Sequence, residues 1–218
     1  MITKVQGKTV SGELSVKACP RLNPLEKGML RWAVVDPEDR VLDACVGRGL
    51  MAEYLRRNMQ CEVCGVSSDM EEVRSARARL QSCDIVYAPV GDIPWREGAF
   101  DTVLMQWKGD ADSLDRMLGE VLRVLKPGGA LVCLEFSTPP NAVWRALYGF
   151  YLKHLIPFWG GLITGDREGF VYLSRSIKAF PNQQGLAAMM EKAGFEDVTW
   201  KNYTGGIAAV HVAKKPKA

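Results

Sequence analysis

Histidine is almost absent: the chain has two in 218 residues, His154 and His211, far apart in sequence. With no cluster of metal-ligating residue types, no metal is expected. The opening "MITKVQGKTVSGELS" has no apolar core of the signal-peptide kind, so a cytoplasmic protein is expected. The most aromatic stretch, residues 143–163, carries Arg145, Lys153 and His154 and is broken by Pro157, Gly160 and Gly161. A membrane-spanning helix does not accommodate that pattern easily. Excess charge is lacking too. A net charge of +3 is too small to argue for nucleic acid. Much of that excess sits in Lys214, Lys215 and Lys217, a tail expected to be solvated. Internal repeats and low-complexity segments are absent.

Six cysteines are scattered at positions 19, 45, 61, 64, 83 and 133. Cys61 and Cys64 have CxxC spacing, but "CEVCGV" reads as a strand, where residues three apart point to opposite faces. There is no second pair. Buried free thiols in a reducing compartment are therefore expected, and zinc or redox use is not.

What is present is an alternation of strand-like and helix-like segments from residue 40 onward. "RVLDAC", "CEVCGV", "DIVYAP", "FDTVLMQW" and "ALVCLEF" read as five strands. Between them, "LMAEYLRR" places Met51, Tyr54 and Leu55 on one helical face. "SSDMEEVRSARARL" opens with cap-type residues and acids and closes with arginines, as a helix dipole favours. Residues 111–125 repeat Leu114, Met117, Leu118, Val121, Leu122 and Leu125 at helical spacing, and "KPGG" ends that helix as a turn. Such alternation implies a parallel sheet covered on both faces. The rhythm breaks over residues 140–181, which are rich in aromatics, Pro and Gly. A helix then resumes with Leu186, Met189, Met190 and Ala193 on one face. "FEDVTW" and "GIAAVHV" follow as a pair of antiparallel strands, with His211 a structural histidine.

The stretch "VLDACVGRGL" ends the first strand in Gly47 and Gly49. Bare backbone at a strand-to-helix turn lets a ligand meet helix N–H groups. Gly47, Gly49 and Ala52 match the dinucleotide fingerprint G-x-G-x-x-G/A literally, which on its own is a weak signal. Asp43, four residues before Gly47, gives a D-x-x-x-G-x-G spacing that resembles the first motif of class I S-adenosylmethionine-dependent methyltransferases. "GDIPWREGAFD" and "RVLKPGGALV" resemble that family's next signatures, in order and at suitable intervals. The resemblance implies S-adenosyl-L-methionine as cofactor, held near Asp43, Gly47, Gly49, Gly91, Asp92 and Gln106. The acid expected on the ribose hydroxyls falls by register near Ser67 or at Asp69, for which helix N-capping is an equal reading. Asp101 is expected only to cap or pair locally.

The second half narrows the likeness. "LEFSTP", "LYGFYLKHLIPFWG", "YLSRSIKAFP", "MMEKAGF" and "YTGGIAAVH" closely resemble the UbiE/MenG type of C-methyltransferase, which methylates a ring carbon in ubiquinone and menaquinone synthesis. The resemblance implies a Rossmann-like α/β fold whose mostly parallel seven-stranded sheet has an antiparallel C-terminal strand. The methyltransferase domain is expected at 40–218; the segment before it, 1–39, is short and lacks the usual family opening, but is expected to help cover the cofactor, with Leu25, Met29 and Trp32 suggesting a packed helix. A helical lid insertion is expected at about 138–181, over a greasy ring and its isoprenoid tail. The implied partner is an aromatic or quinol small molecule. A transient membrane-surface contact fits a bilayer-borne substrate, no nucleic acid is implied, and an oligomer is left open. Another apolar acceptor, or a catalytically weak donor-binding subunit, is the alternative.

The chain departs from the family after the fourth strand. UbiE-type enzymes usually carry a phrase like FGLRN there, whereas this chain reads "MQWKGDADS". Trp107 stands near the Phe, and Lys108 and Asp110 are the candidates for proton handling, with helix capping the competing reading for Asp110 or Asp112. Tyr148, His154 and Tyr172 are substrate-side candidates on the aromatic segment, with Ser174 and Arg175 beside them; for His154 surface exposure is an equal reading.

Overall fold

A computed structural model describes residues 22–89, 91–107, 111–165 and 167–217. Seven strands form one sheet in the order β3-β2-β1-β4-β5-β7-β6. These are β1 (Arg40–Asp43), β2 (Glu62–Ser67), β3 (Asp84–Tyr87), β4 (Phe100–Met105), β5 (Leu125–Phe136), β6 (Glu196–Tyr203) and β7 (Ala208–Lys214). The first five pair in parallel, and β7 runs antiparallel between β5 and β6. The expected Rossmann-like sheet with its antiparallel last strand is therefore present.

Strand alternation divides the core into two layers. Leu42, Cys64, Val66, Val103, Met105, Leu131 and Cys133 pack against α4 (Ala111–Val124) and α8 (Gln183–Ala193). Val41, Val63, Leu104, Val132 and Val210 pack against α1 (Pro24–Trp32), α2 (Leu50–Asn58) and α3 (Met70–Arg79). Cys61 and Cys64 fall in opposite layers, as the strand reading requires. Cys61, Cys64 and Cys133 are buried free thiols; Cys45 and Cys83 are only half-buried, and Cys19 lies outside the described residues. His211 is buried. Its Nε2–H donates to the Gln183 carbonyl at 3.0 Å, its ring stacks on Trp200, and burial lowers its pKa.

Several local expectations change. "KPGG" is not a turn between elements but part of β5, where a register irregularity lets Ala130 resume pairing with Thr102. Gly128 takes φ +76 there, and the Lys126 ammonium pairs with Asp101 at 2.8 Å. The Arg40 amide also donates to Asp101, so this carboxylate pairs locally. The basic tail is not simply solvated: Lys215 donates to the carbonyls of Arg123 and Leu125 at the end of α4. Lys214 pairs with Asp197. On α1, Met29 is fully buried but Trp32 is exposed, because the buried face of this short helix runs through Gly28 and Met29.

Residues 142–179 form α5 (Ala142–Phe150), a π-helical turn (Tyr151–Leu155), α6 (Ile156–Thr164) and α7 (Arg167–Ala179). Tyr148, Leu152 and Ile177 make a small core of their own. The Trp144 indole donates to the Thr204 carbonyl at 3.3 Å and crosses over Gly205, which fastens the segment to the turn between β6 and β7. The Ser174 hydroxyl lies 2.6 Å from the Leu152 carbonyl and ties α7 to the π turn. Among the described residues no helix is long and apolar enough to cross a membrane.

One glycine decides how the first loop lies. Gly65, central in β2, pairs with Asp43 on one side and Ile85 on the other. A Cβ there would meet Val46 Cγ2 at 2.7 Å and Ile85 Cδ1 at 2.8 Å. The bare backbone lets the loop after β1 settle on the sheet, held by the Val46 amide donating to the Val66 carbonyl at 3.0 Å. Gly65→Ala should cost about 1–3 kcal/mol, read as a lower urea midpoint at unchanged slope. A midpoint equal to wild type would show that Val46 yields freely.

Candidate functional site

At the C-terminal edge of the parallel strands two cavities meet. The first is walled by Ala44 and Cys45 after β1, Val66, Ser67, Ser68 and Asp69 after β2, Glu72 on α3, Ala88 and Pro89 after β3, Asp92 and Ile93 beyond them, Trp107 and Met117. The second is walled by Asn23 and Leu25 at the head of α1, Gln106 and Trp107 after β4, Leu134, Glu135 and Phe136 of β5, and Ala208 of β7. Trp107 belongs to both walls. This is the usual ligand position of an open α/β sheet, outside the carboxyl ends of its strands.

The first cavity combines apolar walls with carboxylates. The Ser67 hydroxyl, at the end of β2, donates to Glu72 at 2.7 Å and accepts from the Asp69 amide at 3.1 Å. Asp69 caps α3, its Oδ1 accepting from the amides of Glu71 and Glu72. The capping reading of Asp69 is thus realised, and Glu72 stands beside Ser67 as a carboxylate that the sequence reading missed. It was hidden in "MEEV", where acids in a first helical turn are explained by the dipole alone. The far wall is pinned from α4. Glu120 accepts from the Ile93 amide at 2.9 Å, and Arg123 donates to the carbonyls of Trp95 and Ile93 while pairing with Glu120. That pair holds Glu120 below and Arg123 above their ordinary pKa values.

Of the expected cofactor residues, Ser67, Asp69 and Asp92 line this cavity. Gln106 lines the second instead, because it alternates with Met105 and Trp107 and faces the α1 side. Asp43 is buried, and its strand alternation puts it on the side of Val41, whereas the wall is made by Ala44. Gly47 takes φ +51, and Gly49 takes φ +77 at the N-cap of α2. A Cβ on Gly49 would lie 3.2 Å from Ala76 of α3, so this glycine serves close helix packing as well as the turn. Gly91, at φ +76, lies under the Arg116 side chain. None of these four stands in the cavity wall; they shape the loops that do.

The substrate-side candidates divide. Trp107 is buried in both walls. Tyr148 is buried in the small core of the helical segment, and that burial raises its pKa. His154 is exposed against Phe150, and Tyr172 is 73% exposed, since α7 buries its Ser174 and Ile177 face. Neither lines a described cavity wall. Arg175 is exposed, and Ser174 is spent on α7 and the π turn. Lys108 and Asp110 lie outside the described residues, as does any capping by the Asp112 side chain.

Glu135 is the second residue that sequence reading passed over. It sits in the apolar run "LVCLEF", where alternation alone gives it no role. Its Oε1 accepts from the Trp107 amide, and the Phe136 amide also donates to it. Burial raises its pKa well above the ordinary carboxylate range, outweighing those two amides. Two residues on, the buried Ser137 hydroxyl has no partner among the described residues.

A model of the ubiE/COQ5 methyltransferase family matches residues 26–215. A "Demethylmenaquinone methyltransferase" of Thermus thermophilus is 37% identical over 201 residues, covering 86% of this chain and 90% of the relative. A "Ubiquinone/menaquinone biosynthesis C-methyltransferase UbiE" of Brucella anthropi is 37% identical over 179 residues, covering 78% and 68%. Among solved structures, phosphoethanolamine N-methyltransferase 2 of Haemonchus contortus, in complex with S-adenosyl-L-methionine, superposes with a TM-score of 0.66 at 14% identity, covering 88% of this chain and 52% of that one.

The raised Glu135 pKa has a signed consequence. Between the unfolded and folded pKa values the native state holds the proton and the unfolded state does not, so stability falls as pH rises. Glu135→Gln removes that loss. The melting temperature of the variant minus that of wild type should therefore grow as pH rises above the ordinary carboxylate range. A difference independent of pH would mean that Glu135 is ionised like a surface carboxylate.

Proposed function

The chain belongs to the ubiE/COQ5 methyltransferase family, and we propose that it moves a methyl group from S-adenosylmethionine to a ring carbon of a lipid quinol of the demethylmenaquinol type. It is a methyltransferase that uses S-adenosylmethionine. The observation that carries the substrate reading is the pair of cavities meeting at Trp107, one acidic and one mainly apolar.

The residues of the first cavity suit a nucleoside with a cationic sulfur. Ser67 and Glu72, with Asp69 behind them, offer acceptors for ribose hydroxyls, and Ala44, Val66, Ala88, Ile93 and Met117 offer apolar contact to a base. Asp92 stands at the rim as an acceptor for an amino group. Asp43, Gly47, Gly49 and Gly91 act by setting the loop paths.

The bound donor supplies an electrophilic methyl group on a sulfonium. The new carbon–carbon bond forms as the carbon–sulfur bond breaks, with its electron pair left on sulfur. An ionised quinol and a sulfonium lose their opposite charges in this step, which a dry site favours. Leu25, Leu134, Phe136, Ala208 and the Trp107 ring form a wall that excludes water from an aromatic acceptor. Trp107, common to both walls, would align ring and methyl.

The helical segment at about 138–181 serves in this reading as a lid and as a contact with the bilayer that carries the acceptor. Leu147, Phe150, Phe158, Trp159, Leu162 and Ile163 are exposed on it. Arg145, Lys153, Arg175 and Lys178 are exposed among them, as anionic headgroups require.

Calorimetry should show S-adenosylhomocysteine binding and no NADH binding, and Glu72→Ala should weaken the former about tenfold, or about 1.4 kcal/mol. NADH binding alone would end the methyltransferase reading. Labelled donor should transfer its methyl group to short-chain demethylmenaquinol, and no incorporation over a panel of quinols would remove the substrate claim. Co-sedimentation with anionic vesicles should fall in a variant carrying Trp159→Ser, Leu162→Ser and Ile163→Ser. Equal sedimentation of variant and wild type would remove the membrane contact.

A further inference from the structure

We propose that Glu135 is the base that accepts the proton of the acceptor's ring hydroxyl. This rests on the reading of the second cavity as the acceptor's place. Among the described residues walling that cavity, Glu135 is the one with an ionisable side chain; the others are Asn23, Leu25, Gln106, Trp107, Leu134, Phe136 and Ala208. The carboxylate is fixed where it stands by the Trp107 and Phe136 amides. Trp107 also walls the donor cavity, so the same contact that anchors the carboxylate ties it to the boundary across which the methyl group passes. A base at that boundary is close to the acceptor ring without occupying the methyl group's path.

The surroundings suit proton exchange. On β7, Ala209 pairs with Glu135, and His211, the next residue on that face, pairs with Cys133; α1 brings Asn23 and Leu25 to the wall, and the segment after β4 brings Gln106 and Trp107. Along β5 the nearest ionisable side chain is Cys133, whose own pKa is raised by burial and by Glu135. Among the described residues walling the cavity there is no cation, so none of them holds the carboxyl in an ion pair, and a carboxyl so placed can exchange a proton with a ligand. Lys108 and Asp110 lie outside the described residues. In the step itself the hydroxyl O–H bond breaks, its proton forms the O–H of the Glu135 carboxylic acid, and the electron pair stays on the ring oxygen. That pair makes the neighbouring ring carbon nucleophilic. After transfer, the proton on the methylated carbon leaves to water. Glu135 returns its own proton to the ring oxygen as the ring regains aromaticity, and one proton is released per turnover.

Glu135→Gln keeps an oxygen for the Trp107 amide but accepts no proton. With short-chain reduced naphthoquinones of graded hydroxyl acidity, kcat should fall about 100-fold or more for the least acidic acceptor. The deficit should shrink toward none for an acceptor already ionised at the assay pH. The rise of wild-type kcat with pH should be lost in the variant, while S-adenosylhomocysteine affinity stays unchanged. Binding supplies a readout besides turnover. In the presence of S-adenosylhomocysteine, 2-naphthol should bind wild type more tightly as pH rises toward about 8, and the variant equally at every pH. An equal deficit for all acceptors, with the pH profile intact, would reduce Glu135 to a strut for Trp107 and overturn the proposal. So would a variant as fast as wild type. Wild type inert toward every quinol would instead overturn the functional reading, and the base assignment with it.

Discussion

The site depends on how closely a loop can lie against a sheet. Val46 rests where Gly65 has no side chain, and its amide is bonded to Val66. That contact brings Ala44 and Cys45 to the first cavity's wall and carries the chain through Gly47 and Gly49 into α2. The far wall is fixed from α4 through Glu120 and Arg123. One side of the cavity is therefore set by packing and the other by charged hydrogen bonds. Packing at that distance tolerates little added volume, whereas partly exposed ion pairs can adjust.

Electrostatics separates the two cavities. Around the first, Asp69, Glu72 and Asp92 sit beyond strand ends and at the start of a helix. In the second, a single carboxyl is withdrawn among apolar side chains, and its proton is held more tightly. Burial is what raises the Glu135 pKa.

Much of this was readable from residues alone. Strand and helix periodicity gave the parallel sheet, and "GIAAVHV" gave the antiparallel strand with His211 inside it. The glycine loop and the family phrases pointed to the donor end. Residues that act through burial at a particular edge were not readable. Glu72 looked like dipole chemistry and Glu135 like an interruption in an apolar strand, because pattern shows which face a residue takes but not what cavity the face meets. The aromatic segment misled in the other direction for Tyr172, offered as a substrate-side residue yet lying on the outside, whereas the exposure of His154 is one of the two readings its position allowed. Lys108 and Asp110 remain candidates by sequence position alone.

The placement of β7 between β5 and β6 has a consequence for the order in which the molecule is made. A ribosome delivers β1 to β5 first, and with them the strands and loops that wall the first cavity. β6 pairs in the sheet only with β7, and Ala208 of β7 is part of the second cavity's wall. A nascent chain halted before residue 208 therefore carries every described residue of the first wall but not of the second. Synthesis completes the two cavities in that order.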